Sequence, residues 1–197
     1  MRFAVLVCDL VVVGVFGLSA TAKLRGRRSF TGFVRSLEPL LGLRGRTATA
    51  AATASVLLEC AVVPLSVLPG TGRTGPGLAA LLLCGFTAVL ALALSRGSAA
   101  PCNCFGAAPS PVSSWHVVRN ILLLATSALG MLRSDPSAAL WQAPAPVLLL
   151  CLPTAVVLVV ALTRLDDLAE LLRPARGASV PYGVDRRPAG PAPRSRR

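Results

Sequence analysis

The sequence predicts an all-α, polytopic membrane protein whose bundle contains about five transmembrane helices. The 197-residue chain is 54% hydrophobic and only 14% charged, with a mean hydropathy of +0.69, which is too apolar for an ordinary soluble domain. Apolar runs of about 20 residues recur along the chain, and this length crosses the hydrocarbon layer of a bilayer. Basic residues lie between and after these runs, where they orient membrane helices. The lipid bilayer is therefore the predicted surrounding of the fold.

The first apolar run, 3–22, is long enough to span the membrane. Arg2 and the small residues at the end of the run also resemble a secretory signal peptide. We favour a retained helix, because the apolar region of a signal peptide is usually shorter and lacks an acid such as Asp9.

The segment after this run is basic and amphipathic. Residues 23–46 carry seven basic residues and a single acid, Glu38. Within this segment, 29–43 is predicted to form a helix that lies on the membrane surface and does not span it.

Two further apolar runs, 48–68 and 77–95, predict the second and third spans. The cluster Pro-Gly-Thr-Gly at 69–72 separates them and predicts a chain reversal. Pro64 falls near the end of the second run. The third run consists mainly of Ala, Leu and Gly, and small residues permit close contact between helices.

The C-terminal part predicts two more spans and a tail. A polar connection, 96–114, leads into a fourth span at 115–132, with Ser113 or Ser114 as its N-cap. A fifth span is predicted at 144–162 despite Pro153. The sequence thus divides into a four-helix core at 1–133, a fifth span with an amphipathic extension at 134–173, and a disordered basic tail at 174–197.

The distribution of basic residues predicts the orientation. With five spans, one side of the membrane receives 17 of the 20 Lys and Arg residues and the other side receives three. The positive-inside rule then places the N-terminus outside the cell, and the connection 96–114 and the C-terminal tail in the cytoplasm. The abundance of Arg and Ala is typical of a GC-rich bacterial genome, which indicates a bacterial plasma membrane.

Nucleic-acid binding and metal binding are not predicted. The formal charge of +12 is explained by the residues that flank the spans, and no basic groove with interleaved aromatic residues is visible. A structural zinc site needs four ligands at characteristic spacing, whereas His116 is the single histidine of the chain.

The connection 96–114 contains the most distinctive chemistry of the chain. Cys102 and Cys104 lie two residues apart in a loop bounded by Pro101 and Gly106. A disulfide between them would close a small, strained ring, and strained disulfides are easily reduced. A nearby helix N-terminus and Arg96 would favour the thiolate. The pair therefore suits thiol exchange or redox sensing, and the alternative is two incidental loop cysteines.

The remaining four cysteines lie inside apolar runs. Such cysteines usually behave as small hydrophobic residues. This interpretation applies to Cys8, Cys60, Cys84 and Cys151.

Several polar residues lie within or at the edge of the predicted spans. An ionisable group in hydrocarbon normally faces the bundle interior with a partner. Glu59 is near the middle of its span, which predicts an internal structural or proton-handling role, whereas Asp9 is closer to the headgroups. Arg119 and Asn120 either pair with these acids or mark the interface. His116 is interpreted as an interfacial histidine, and the alternative is a proton carrier for thiol exchange.

The first span ends in Ala22-Lys23-Leu24, the second span carries Glu59, the loop contains Cys102-Asn103-Cys104-Phe105-Gly106, and the following helix contains Arg119-Asn120-Ile121-Leu122-Leu123. These four features, in this order, resemble the methylamine utilisation protein MauE family, which is related to DoxX-like membrane proteins. The resemblance covers roughly residues 3–133. The family core has about four spans, so the fifth apolar run and the basic tail extend beyond it.

The resemblance implies a function in redox maturation. Members of the family are thought to support maturation of the disulfide-rich small subunit of methylamine dehydrogenase. By resemblance, the redox pair is Cys102 and Cys104, and the family-pattern positions around it are Lys23, Glu59, Arg119 and Asn120.

The leading hypothesis is therefore a membrane thiol–disulfide oxidoreductase that exchanges electrons with a thioredoxin-like protein or a disulfide-rich client. Its cofactor stays open, and a quinone is conceivable as electron acceptor. Two other classes stay open as well. One is a non-catalytic membrane scaffold or assembly factor, and the other is a small-solute transporter, which Glu59 suggests.

Overall fold

The computed structural model describes residues 2–71, 73–96, 101–102, 110–111, 114–132 and 141–164. Six long helices run through them: α1 Arg2–Leu24, α2 Arg27–Leu41, α3 Arg46–Val67, α4 Thr74–Ser95, α5 Ser114–Met131 and α6 Ala145–Thr163. Two short strands, β1 Pro101–Cys102 and β2 Ser110–Pro111, pair between α4 and α5. The predicted helical bundle is confirmed. Arg164, the first residue of the predicted extension, is described. The rest of the extension and the predicted tail lie outside the described residues.

Four helices of the described residues, α1, α3, α4 and α6, are long and apolar enough to cross a membrane. The predicted fourth span, α5, is not among them, because His116, Arg119 and Asn120 lower its hydropathy. It nevertheless packs along α1 and α4. Hydropathy therefore accounts for four of the five predicted spans, and α5 joins the bundle through its packing.

Contacts at its two ends show that α5 runs antiparallel to α1 and α4. Near its end, a Cβ added at Gly130 would lie 2.7 Å from a carboxylate oxygen of Asp9, in the N-terminal half of α1, and 3.5 Å from Pro76, in the first turn of α4. Near its start, Arg119 lines the same cavity as Lys23, in the last turn of α1. The two ends of α5 therefore reach the levels of both ends of α1.

Helix α1 is the centre of the bundle. It contacts each of the other five helices, and it contributes six of the twelve residues of the main buried core. Those six residues are Leu6, Val7, Val11, Val12, Val15 and Phe16. The described bundle is therefore organised around this helix.

The amphipathic segment forms α2, and its apolar face packs on protein. The buried side chains of α2 are Phe33, Ser36, Leu37 and Leu40. Phe33 and Leu37 pack against α3, and Leu40 packs against α4. The helix ends at Gly42, whose φ of 68° lies in the left-handed region that favours glycine. The helix predicted at 29–43 thus forms, and it covers the bundle end that holds the first half of α3 and the last turns of α4.

The α3–α4 reversal confirms the turn predicted at 69–72. Gly70 adopts a φ of 84° there, and the first turn of α4 then approaches α3 very closely. A Cβ added at Gly75 would lie 2.6 Å from the backbone nitrogen of Ser66. Only a glycine allows the two backbones to meet at this distance.

Candidate functional site

A buried ion pair joins α1 to α3 inside the bundle. Lys23 Nζ lies 2.5 Å from Glu59 Oε1, and the two side chains are 2% and 1% exposed. Ser19 Oγ donates a hydrogen bond to Glu59 Oε2 at 3.1 Å, and Ser55 Oγ donates to Oε1 at 3.4 Å. A charge removed from water is tolerated when it is paired and its other lone pairs are bonded. Glu59 meets both conditions.

The sequence spacing on both helices builds this pair. Ser19 and Lys23 are four residues apart on α1, so they lie on one face, and Lys23 Nζ donates to Ser19 Oγ at 3.1 Å. Ser55 and Glu59 have the same spacing on α3. Two polar faces, each one helical turn long, therefore meet in the α1–α3 interface. We call these four residues and their aromatic neighbours, described next, the Lys23–Glu59 site.

Two aromatic rings surround the ammonium group of Lys23. The ring centroid of Phe33, from α2, lies 4.3 Å from Nζ, and that of Phe86, from α4, lies 5.6 Å away. Both distances allow a cation–π interaction, which is strongest where water is excluded. Phe33 is itself 1% exposed. Helix α2 therefore closes the site from outside.

A small cavity of about 30 Å³ lies beside the ion pair. Its walls are Val15, Phe16, Ser19, Lys23, Glu59, Leu83, Phe86, Arg119, Asn120 and Leu123. This volume holds one or two water molecules. Polar side chains from α1, α3 and α5 thus converge on one small space, and no larger ligand fits there without movement of the helices.

The structure brings together four of the predicted site residues. Lys23, Glu59, Arg119 and Asn120 all line the cavity, and Arg119 and Asn120 are buried. Arg119 and Asn120 therefore face the protein interior beside Lys23 and Glu59. These two residues lie on the face of α5 that packs into the bundle, so their side chains point away from the lipid.

Burial also bears on two expectations about exposure and charge. His116 is 4% exposed, so its side chain is surrounded by protein. Lys23 and Arg119 were counted among the cations that flank the spans, yet both are buried in the bundle. Without them the predicted topology divides the basic residues 15 to three between the two sides, so the charge asymmetry remains, and the orientation is still a prediction.

The described part of the cysteine loop lies at the end of the bundle that α2 covers. The backbone of Cys102 pairs antiparallel with Ser110, and β1 contacts α2. β2 ends three residues before α5 begins at Ser114, and α5 carries Arg119 in its second turn. Cys104 and the side chain of Cys102 lie outside the described residues.

Other residues of the site had no strong signal in the sequence. Ser19 and Ser55 were detectable only as the residues four positions before Lys23 and Glu59. Phe33 and Phe86 resemble any other apolar residue of an amphipathic or membrane helix.

The four cysteines within the helices carry free thiols. Cys151 packs in the main core, Cys60 packs beside the α2–α3 contact, and Cys84 is exposed on α4. These positions fit the interpretation of small hydrophobic residues.

Comparison with known proteins gives one match. A family model described as methylamine utilisation protein MauE matches residues 1–133. No curated protein and no solved structure matches the chain. The matched range holds α1 to α5, the Lys23–Glu59 site and the cysteine loop, whereas α6 lies beyond it.

Proposed function

This chain belongs to the MauE family, and from that premise we propose that it supports thiol–disulfide maturation of a partner protein through Cys102 and Cys104. The scaffold is a helical membrane bundle with four helices that are apolar enough to span. The observation that carries the proposal is the attachment of the loop to the bundle. β1, which contains Cys102, contacts α2, and α2 also supplies the ring over Lys23.

The proposed exchange conserves atoms and electrons. The thiolate of Cys102 attacks one sulfur of a client disulfide, an intermolecular S–S bond forms, and the client's other sulfur leaves as a thiolate. The Cys104 thiolate then attacks Cys102 and releases the second client thiolate. The two protons lost by the loop thiols end on the client, and two electrons pass with them. A thioredoxin-like dithiol restores the loop pair, and the reverse sequence oxidises a client.

The Lys23–Glu59 site acts in this proposal as the support of the loop. It joins α1 to α3 through the ion pair and holds α2 through Phe33. Because α2 contacts β1, the position of Cys102 depends on how firmly α2 is docked.

Trapping of the intermediate tests the proposal. In Cys104→Ser the resolving thiol is missing, so we expect a mixed disulfide through Cys102 to accumulate in cells and to disappear on reduction. The double variant Cys102→Ser/Cys104→Ser should form none. Cys84→Ser is the matched control, because Cys84 is an exposed free thiol outside the loop, and Cys84→Ser should behave as wild type.

The competing function is a scaffold without thiol chemistry. The Lys23–Glu59 ion pair favours this function. Each charge has a partner, so the pair can be buried for a purely structural reason. If the double cysteine variant inserts normally and keeps full maturation of the client in cells, the scaffold is correct and the redox proposal fails.

A further inference from the structure

An open groove of about 960 Å³ runs between α2 and the first half of α3. It lies on the outer side of these helices, away from the cavity beside Lys23. The α2 wall consists of Phe30, Thr31, Val34, Arg35 and Glu38. The opposite wall consists of Gly45, which precedes α3, and of the α3 residues Arg46, Thr49, Ala50, Thr53, Ala54 and Leu57.

The α3 wall is a single helix face made of small residues. Counted from Arg46, its positions are i, i+3, i+4, i+7, i+8 and i+11, so they lie on one face of the helix and form a continuous stripe. Ala50 and Ala54 leave the stripe shallow, and the stripe ends at Leu57, which is 64% exposed. From Arg46 to Leu57 the helix rises about 17 Å, close to the depth of one lipid leaflet, about 15 Å. This part of the groove fits an extended acyl chain.

The groove also carries positive charge. Arg35 and Arg46 line it from different helices, both are exposed, and Glu38 is the acid among the lining residues. Arg46 is also the first residue of α3, which has no side-chain cap, and a helix start favours anions. Arginine binds phosphate in a bidentate manner. The groove therefore combines two cationic side chains, one of them at the start of a span, with an apolar stripe within that span.

We propose that this groove binds one anionic phospholipid, with its phosphate between Arg35 and Arg46 and one acyl chain along Ala50, Ala54 and Leu57. The arginine pair distinguishes this groove from a helix face that merely contacts bulk lipid. Because the lipid contacts both walls, it stabilises the docking of α2 on α3. This inference concerns a separate surface and does not depend on the cysteine chemistry.

Native mass spectrometry of the full chain in a mild detergent tests the proposal, with phosphatidylglycerol and phosphatidylcholine as probes. Wild type should retain one phosphatidylglycerol in preference to phosphatidylcholine. Arg35→Gln/Arg46→Gln should bind phosphatidylglycerol about thirty-fold more weakly, as expected for the loss of two basic contacts with an anionic headgroup. Arg25→Gln/Arg28→Gln removes the same charge from exposed positions outside the groove and should keep the affinity within about threefold.

A second variant tests the apolar part of the groove. Ala54→Trp fills the α3 stripe and leaves both arginines in place, so it should also lose the retained lipid. Soluble glycerol phosphate, which has no acyl chain, should not displace phosphatidylglycerol from wild type. The proposal is overturned if the two double arginine variants lose affinity equally, if Arg35→Gln/Arg46→Gln binds as wild type, or if Ala54→Trp binds as wild type.

Discussion

Lys23 and Glu59 lie 36 residues apart in the chain, yet Lys23 Nζ and Glu59 Oε1 are 2.5 Å apart in the interior of the bundle. Their contact joins the last turn of α1 to the middle of α3, and Phe33 from α2 lies over the ammonium group. Three helices therefore meet at one ion pair. Any substitution that unbalances this pair should loosen the support of the cysteine loop.

Removal of one partner of the pair should be far more costly than removal of both. Lys23→Met leaves the Glu59 carboxylate buried without its cation, and this should lower the free energy of unfolding by about 3–5 kcal/mol. Lys23→Met/Glu59→Met should recover most of that loss, because neither charge is then left alone. Unfolding in detergent, followed by helical circular dichroism, measures both effects. Arg25→Met, at an exposed position of the same segment, is the control and should change stability by less than about 0.5 kcal/mol.

Phe33 should stabilise the bundle partly through Lys23. Phe33→Leu keeps an apolar side chain but removes the ring 4.3 Å from Nζ, and we expect a loss of about 2 kcal/mol. In the Lys23→Met background the same substitution should cost about 1 kcal/mol less, since the cation is already gone. Equal costs in the two backgrounds would mean that Phe33 contributes through packing alone. Phe3→Leu, at a 45% exposed position, provides the matched control.

The α3–α4 contact should tolerate no side chain at Gly75. A Cβ there would lie 2.6 Å from the Ser66 nitrogen and 2.7 Å from the Leu65 carbonyl carbon, and backbone atoms cannot move aside as a flexible side chain can. We expect Gly75→Ala to lower the melting temperature, with a cost of about 1–3 kcal/mol. Gly85→Ala lies on the same helix with no atom within 4 Å of its Cβ, so it should be neutral or stabilising by up to about 1 kcal/mol. Similar melting temperatures for the two variants would contradict the close approach.

Thiol labelling should place the cysteine loop in the cytoplasm. In a variant with Cys8, Cys60, Cys84 and Cys151 replaced by Ser, a membrane-impermeant maleimide should label Cys102 and Cys104 only after the cells are permeabilised. Apart from the buried Lys23 and Arg119, the predicted topology places 15 basic residues on the cytoplasmic side and three on the other side. Thr74→Cys, at the α3–α4 end of the bundle and with both loop cysteines replaced by Ser, should be labelled in intact cells. Labelling of the loop in intact cells would reverse the orientation.

Helix α5 shows where prediction from sequence was strong and where it was incomplete. The apolar run 115–132 was sufficient to predict a helix, and the observed helix, Ser114–Met131, differs by one residue at each end. The roles of its polar residues were not predictable in the same way. His116, Arg119 and Asn120 stand at the start of the run, where interfacial residues are common, and burial depends on which side of the helix faces α1.

Lys23 presents the same difficulty. Its position after an apolar run is typical of a charge that flanks a span, and composition alone assigns it to the basic loop. Lys23 is buried because α2 folds back over the last turn of α1 and the first half of α3. A count of charges cannot predict this return of the chain.

Local sequence was enough to predict the properties that depend on neighbouring residues: the membrane environment, the helices, the glycine-rich reversal after α3 and the position of the cysteine loop between α4 and α5. These follow from hydropathy, run length and turn composition, which act over one or a few helical turns. Tertiary packing was needed to show that Lys23, Glu59, Arg119 and Asn120 share one cavity and that Phe33 lies over Lys23. Those contacts join helices far apart in the chain, and they depend on packing and relative rotation, which no local pattern encodes.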